Sequence, residues 1–341
     1  MSSNVRMVRL GALWTGLLLA GLMATPAAAV DTSDCVAIPA DGERLACYDR
    51  AHGRRPAAAA PEAAAPETTT PVVAAPRRSL LEDAWGFAPD SGRYLLRYHY
   101  TNYLLPARYS NDPNEEPYRP GLDLAPEGAE VDSLEAKFQL SFRSRLWVTD
   151  DRRLGVWAAY TQQSHWQVYN GDLSRPFRET NYMPELFASY DPDLQFGSFD
   201  WGVLNIGYNH QSNGRTQLLS RSWDRLFAEV GVENGNFALL ARAWHRISES
   251  DSDDDNPDIT DYLGYGQLTA LYRWRDHSFT LTGRGNWNTN KGSIEATYLS
   301  SPLIGPLRGY LLLFSGYGES MIDYNWNQTV IGAGIAINSQ L

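Results

Sequence analysis

Cysteine is almost missing from the 341-residue chain: there are two, Cys35 and Cys47. In an oxidising compartment so close a pair reads as a disulfide, not a metal site or a reactive thiol, and a single bridge carries no chemistry. Positive charge is also scarce. Lys and Arg number 29 against 40 Asp and Glu, giving a net charge of −11, which argues against a nucleic-acid partner. Long apolar runs are missing too. The longest, LGALWTGLLLAGLMA, falls short of the ~20 residues of a membrane-spanning helix. It follows Arg6 and Arg9 and precedes Ala27-Ala28-Ala29, so residues 1–29 read as a signal peptide and the chain leaves the cytoplasm. A mean hydropathy of −0.39 resembles that of a soluble protein. A membrane barrel gives the same value, because only alternate residues face lipid.

Residues 30–53 hold the cysteine pair and form a small N-terminal segment. Its expected contact is a periplasmic partner or the cell wall. Residues 54–78 (RRPAAAAPEAAAPETTTPVVAAPRR from Arg54) contain too little apolar surface for a core and read as an extended tether. Residues 79–341 remain for one main domain. Past residue 90 the chain repeats one theme, about ten alternating residues and then a turn. The pattern places strands near 94–105, 134–146, 155–168, 182–190, 200–212, 224–232, 236–245, 262–274, 277–287, 292–300, 306–317 and 324–337. Tight turns are expected at Asn234-Gly235, Arg275-Asp276 and Ser301-Pro302, with long polar connectors such as 106–133, 213–223 and 246–261 at the other end. The predicted fold is therefore all-β: a twelve-stranded antiparallel transmembrane barrel of the outer membrane, its tight turns in the periplasm.

Parity assigns the faces. In 200–212, Gly202, Leu204, Ile206 and Tyr208 alternate with Val203, Asn205, Gly207, Asn209 and Gln211. The even set should face lipid and the odd set the lumen. His210 and Ser212 continue the even set. In the next strand Asp224 shares a face with Leu226, Ala228 and Val230. A hydroxyl, an imidazole and a carboxylate thus meet on the outer wall, where the lipid-facing band ends. A water-filled porin has no use for them there; an enzyme that draws its substrate from the bilayer does. Elsewhere, Arg143, Arg145, Arg242 and Arg273 are expected to form an internal charge network with acids such as Glu229. Trp147, Tyr160, Trp166, Trp244, Tyr317 and Trp326 read as girdle or wall, and His99, His165, His245 and His277 as lumen, interface or turn residues. Glu319 is placed in the external loop before the last strand as a structural or polar contact.

HQSNGR followed by SRSWDR is similar to the signature of the outer-membrane phospholipase A family. YTQQSHWQ, RPFRETNYMPELF, DNPDITDYLGYGQ, NWNT and SGYGESMIDYNWNQT extend the resemblance over residues 79–341. It implies hydrolysis of the sn-1 and sn-2 acyl esters of phospholipids and lysophospholipids, with Ser212 as nucleophile and His210 as proton acceptor. Asp224 orients the histidine where the family has Asn, and the Gly214 N–H serves the oxyanion. It further implies one Ca2+ per monomer, held by the Arg215 carbonyl and the Ser220 hydroxyl and completed in a homodimer by the Ser174 carbonyl of the other protomer. Of a second, monomer-type calcium site only Asp255 matches, since its companion is Gln217 here. Gln162 falls at the family's dimer contact. The acidic loop 251–258 departs from an EF-hand at Asn256 and Tyr262 and reads as a solvated external loop. The chain ends in Ile337-Asn-Ser-Gln-Leu341, whereas barrels of this class usually close on an aromatic. Two other readings stay open: a non-catalytic channel or structural barrel, and a lipopolysaccharide deacylase on the same serine chemistry.

Overall fold

The structure, a computed structural model, describes residues 32–53, 79–124, 126–250 and 252–339. The leader 1–29 and the tether 54–78 lie outside the described residues. The chain divides into two units, Met1–Ala74 and Ala75–Leu341. In the first, helices Ser33–Val36 and Asp41–Ala51 are joined by the Cys35–Cys47 disulfide.

The second unit is a barrel. Its strands are β1 (Tyr103–Ser110), β2 (Leu134–Val148), β3 (Leu154–Trp166), β4 (Phe177–Tyr190), β5 (Phe199–Ser212), β6 (Ser222–Asn234), β7 (Phe237–Ile247), β8 (Gly266–Trp274), β9 (His277–Asn286), β10 (Lys291–Ile304), β11 (Leu307–Tyr317) and β12 (Asn327–Ala336). Each pairs antiparallel with its chain neighbours, and β12 pairs with β1, so the twelve-stranded sheet closes and leaves no edge. Two short pieces complete it. Leu96–Tyr98 pairs with β2 as a broken start of the first strand, and Leu194–Phe196 pairs with β5. No helix among the described residues is long and apolar enough to cross a membrane.

Several expected boundaries shift. The first strand, placed at 94–105, is interrupted at 99–102 and then runs to Ser110, passing Pro106 by a register shift. A proline has no N–H for the ladder, so it sits where pairing is already broken. β4 starts at Phe177, not 182, and the turn expected at Ser301-Pro302 lies at 305–306, because β10 continues through irregular pairing to Ile304. The segment 262–274 is divided: helix Ile259–Leu263 precedes β8. The last strand starts at Asn327, since 320–325 form turns instead.

The faces follow the parity rule. Val203, Asn205 and Asn209 are buried, whereas Ile206 and Tyr208 are exposed. Leu140, Leu186, Leu226, Leu268, Leu281 and Ile331 continue an exposed apolar belt around the barrel, as a wall in lipid requires.

The lumen is filled. At the tight-turn end, helix α1 (Leu80–Trp85) packs Leu81 and Trp85 on Val203, Ala238, Leu240 and Leu271. That contact explains why Val203 breaks the polar pattern of its face. Ser79 caps the helix by accepting the Glu82 N–H, and Gly86 ends it at φ +66. Arg143 donates to the Ala84 carbonyl and Arg145 to that of Gly86, while the Leu81 N–H donates to Glu233. Charge opposite to each end of the helix dipole thus seats the plug. The sequence reading had put Arg143 and Arg145 in a charge network; they satisfy carbonyls instead, and Arg143 also covers the rings of Trp85 and Trp157. Arg242 does meet Glu229, at 2.8 Å, and it also bonds Glu185. Arg273 reaches Ser339. Leu81 is fully buried, so Leu81→Ala should cost about 2–5 kcal/mol and lower the urea midpoint of the protein in micelles.

At the long-loop end, segment 318–326 and helix Ile259–Leu263 fold inward. Ile259, Leu263, Met321 and Tyr324 pack with Trp157, Phe187, Trp223, Phe227 and Trp244. Trp244, expected in the outer wall, is therefore a lumen residue, donating to the Gly264 carbonyl. Glu319, in the connection before β12, makes the expected polar contact inside the barrel mouth: it is buried and bonds Arg108 and Lys137. Burial would raise its carboxyl, but Arg108, Lys137 and His165 hold it well below the usual carboxylate range. Next to it Glu135 joins Arg178 and His165, each at 2.9 Å, and Arg178 joins Asp323.

Candidate active site

β5 and β6 pair so that His210 lies directly opposite Asp224 and Ser212 opposite Ser222. A direct cross-strand position brings two side chains of one face within bonding reach. His210 Nδ1 and Asp224 Oδ1 are 2.8 Å apart, both partly exposed on the outer wall. The carboxylate fixes Nδ1 as the donor, which leaves Nε2 as an acceptor on the imidazole. Ser212 is the next residue of the same face, at the last position of β5. Across from it on β4 stands the exposed ring of Tyr182.

The connection 213–221 that follows is braced from inside by Asn213. Its buried side chain accepts the N–H groups of Arg215 (3.2 Å) and Arg221 (3.0 Å) and donates to the Leu219 carbonyl (2.7 Å). One amide therefore closes the loop on itself. Asn213 also donates to Glu179, which accepts the Ile322 N–H, so this brace reaches the inward-folded segment 318–326. Sequence reading overlooked Asn213, although its odd parity in HQSNGR already turned it inward. Within the loop Gly214 adopts φ +62, which glycine reaches without strain, and a Cβ there would stand 3.1 Å from the Tyr182 ring.

The expected calcium donors distribute as follows. Arg215 and Ser220 lie in the braced loop, and Ser174, at φ +60, in connection 167–176. A carbonyl and a hydroxyl are hard oxygen donors of the kind calcium takes. Asp255 is exposed, and among the described residues no three His, Cys, Asp or Glu side chains converge as a metal site. The loop around Asp255 is not simply solvated, as its composition implied. Asn256 is buried and accepts the Ser222 N–H, Asp254 pairs with Arg246, and Asp258 accepts the Tyr324 hydroxyl.

Gln162 lies on the outward face of β3. Its amide bonds along its own strand, accepting from the Tyr160 hydroxyl and donating to Ser164. Of the remaining histidines, His99 and His165 are lumen residues bonded to Glu185 and Glu135. His277 meets Tyr298 beside a turn, and His245 is on the outer wall.

A closed barrel with a lipid-facing belt and a filled lumen, bearing a hydroxyl, an imidazole and a carboxylate on its outer wall, defines the class: an outer-membrane β-barrel. The family model for phospholipase A1 matches residues 86–337. Phospholipase A1 of Klebsiella pneumoniae is 43% identical over 248 residues, covering 72% of this chain and 83% of that protein. The structure of outer membrane phospholipase A from Escherichia coli superposes with a TM-score of 0.66 at 39% identity, over 72% of this chain and 99% of that one. That of a Salmonella typhi outer membrane phospholipase, a dimer with bound calcium, gives 0.68 at 37%, over 78% and 100%. The chain belongs to the phospholipase A1 family and is a phospholipase of the outer membrane.

Proposed function

We propose that this protein hydrolyses sn-1 and sn-2 acyl esters of phospholipids and lysophospholipids at a Ser212–His210–Asp224 triad on the barrel exterior. The observation that carries the reading is the 2.8 Å bond between His210 Nδ1 and Asp224 Oδ1 on the lipid-facing wall, one face position from Ser212. His210 Nε2 takes the Ser212 proton as the hydroxyl attacks the ester carbonyl. The imidazolium then returns that proton to the leaving alcohol, and water cleaves the acyl-enzyme in a second, equivalent cycle. Asp224 keeps the tautomer and stabilises the imidazolium. The Gly214 N–H serves the oxyanion; one such donor contributes on the order of 10²–10³ in rate. The acyl chain lies against the apolar belt beside Tyr182, so it need not leave the bilayer.

Calcium belongs to the same proposal. Arg215 and Ser220 would hold it, with Ser174 of the partner protomer completing the site. Bound there, it supplies positive charge next to the oxyanion. Gln162 would then exchange bonds along its own strand for bonds across a homodimer, coupling association to activity. Residues 1–29 act as the export signal and residues 54–78 as a tether for the disulfide-bonded segment 30–53.

A sulfonyl fluoride tests the nucleophile directly. Incubated with the detergent-solubilised protein and calcium, it should yield one adduct per chain, mapped to Ser212 by mass spectrometry. Ion conductance without any adduct would favour a non-catalytic barrel and end the proposal.

A further inference from the structure

Asp224 has a second donor that the triad does not use. The Tyr208 hydroxyl donates to Asp224 Oδ1, the same oxygen that accepts from His210. Tyr208 precedes His210 by two residues on the outward face of β5. Its direct partner on β6 is Leu226, so the phenol reaches Asp224 diagonally.

The surroundings make this bond consequential. From β5, Tyr208 and His210 face the carboxylate. From β7, uncharged Ile247 stands opposite it, with His245 opposite Leu226 on the same outer wall and Glu249 just past the strand end. Arg225, next to Asp224 in sequence, and Arg246, its cross-strand partner, are engaged elsewhere: Arg225 with Asn209 and Gln211, Arg246 with Asp254. Among the described residues, then, no arginine or lysine pairs with Asp224, and its hydrogen-bond donors are one imidazole and one phenol. A carboxylate on a wall facing lipid is costly unless it is bonded. A second donor to the oxygen that His210 uses also fixes where that oxygen stands relative to the ring.

We propose that Tyr208 is a positioning residue for the reaction: its hydroxyl holds Asp224 Oδ1 against His210 Nδ1, so that the ring keeps Nε2 turned toward Ser212. The inference rests on the triad reading above. Without the phenol, the carboxylate turns more freely and the ring presents Nε2 to the serine proton less often. The chemical step slows, while lipid binding along the apolar belt stays as it was.

The test follows fatty-acid release from dispersed phosphatidylcholine, in detergent with calcium. Tyr208→Phe should lower kcat by about tenfold, the worth of one hydrogen bond to a charged group, with KM unchanged. In an Asp224→Ala background, where no carboxylate remains to be held, adding Tyr208→Phe should lower kcat no further. Tyr208→Leu, which also lacks the hydroxyl, serves if the phenylalanine variant fails to assemble. A kcat equal to wild type without the hydroxyl, or an equal loss in the Asp224→Ala background, would overturn the inference. Sulfonyl fluoride labelling of Ser212 in the wild type separates the two failures: an adduct with kcat unmoved by Tyr208→Phe removes the role of Tyr208 alone, and no adduct removes the triad itself.

Discussion

Ser212→Ala should lower fatty-acid release from phosphatidylcholine by about 10⁴-fold or more, with calcium binding and barrel assembly retained. The size of the loss follows from what the hydroxyl does. On the proposed mechanism no acyl-enzyme forms without it, and His210 has no hydroxyl proton to take. His210→Ala should cost a comparable factor, and the double variant little beyond either, because residues that act as one unit are not additive. Retained heat-modifiable migration in gels would show that the barrel is intact. Equal release by wild type and Ser212→Ala would end the assignment of the nucleophile.

The second large effect lies inside the barrel. Glu135 is fully buried and accepts from Arg178, with Arg108, His165 and Gln167 also in contact. Glu135→Ala would leave those cations short of a counter-charge in a filled lumen. Removing one partner of a buried ionic cluster costs about 3–5 kcal/mol, so the urea midpoint in micelles should fall accordingly. Arg178 also carries Asp323 of the inward-folded segment, and Glu319 of that segment bonds Arg108 and Lys137. The same substitution should therefore speed proteolysis within 318–326. A midpoint unchanged from wild type would show that the cluster contributes no net stability.

How much of this was legible beforehand depended on what the chain repeats. Strict alternation in 200–212 put His210 and Ser212 outside, and the next strand put Asp224 beside them; the structure pairs His210 with Asp224 directly. Parity is local, so sequence resolves it. Partners across the lumen are another matter. Which acid meets Arg242 depends on closure of a sheet whose register no single strand encodes. Arg143 and Arg145 were misjudged because a helix outside the alternating region competes for them. That helix left two marks: Ser79 three residues before Glu82 has the capping-box spacing, with Gly86 as its stop, and Val203 is a large apolar residue next to the polar run Asn205, Asn209 and Gln211 on its face. Helix Ile259–Leu263 straddles the expected boundary between connector 246–261 and strand 262–274, because its short apolar stretch has no period of its own.

The stoppers at both mouths have a consequence for permeation. With α1 seated at one end and segment 318–326 at the other, apolar packing stoppers both mouths around the polar interior. A variant that unseats either stopper should therefore conduct ions across a planar bilayer where the wild type does not.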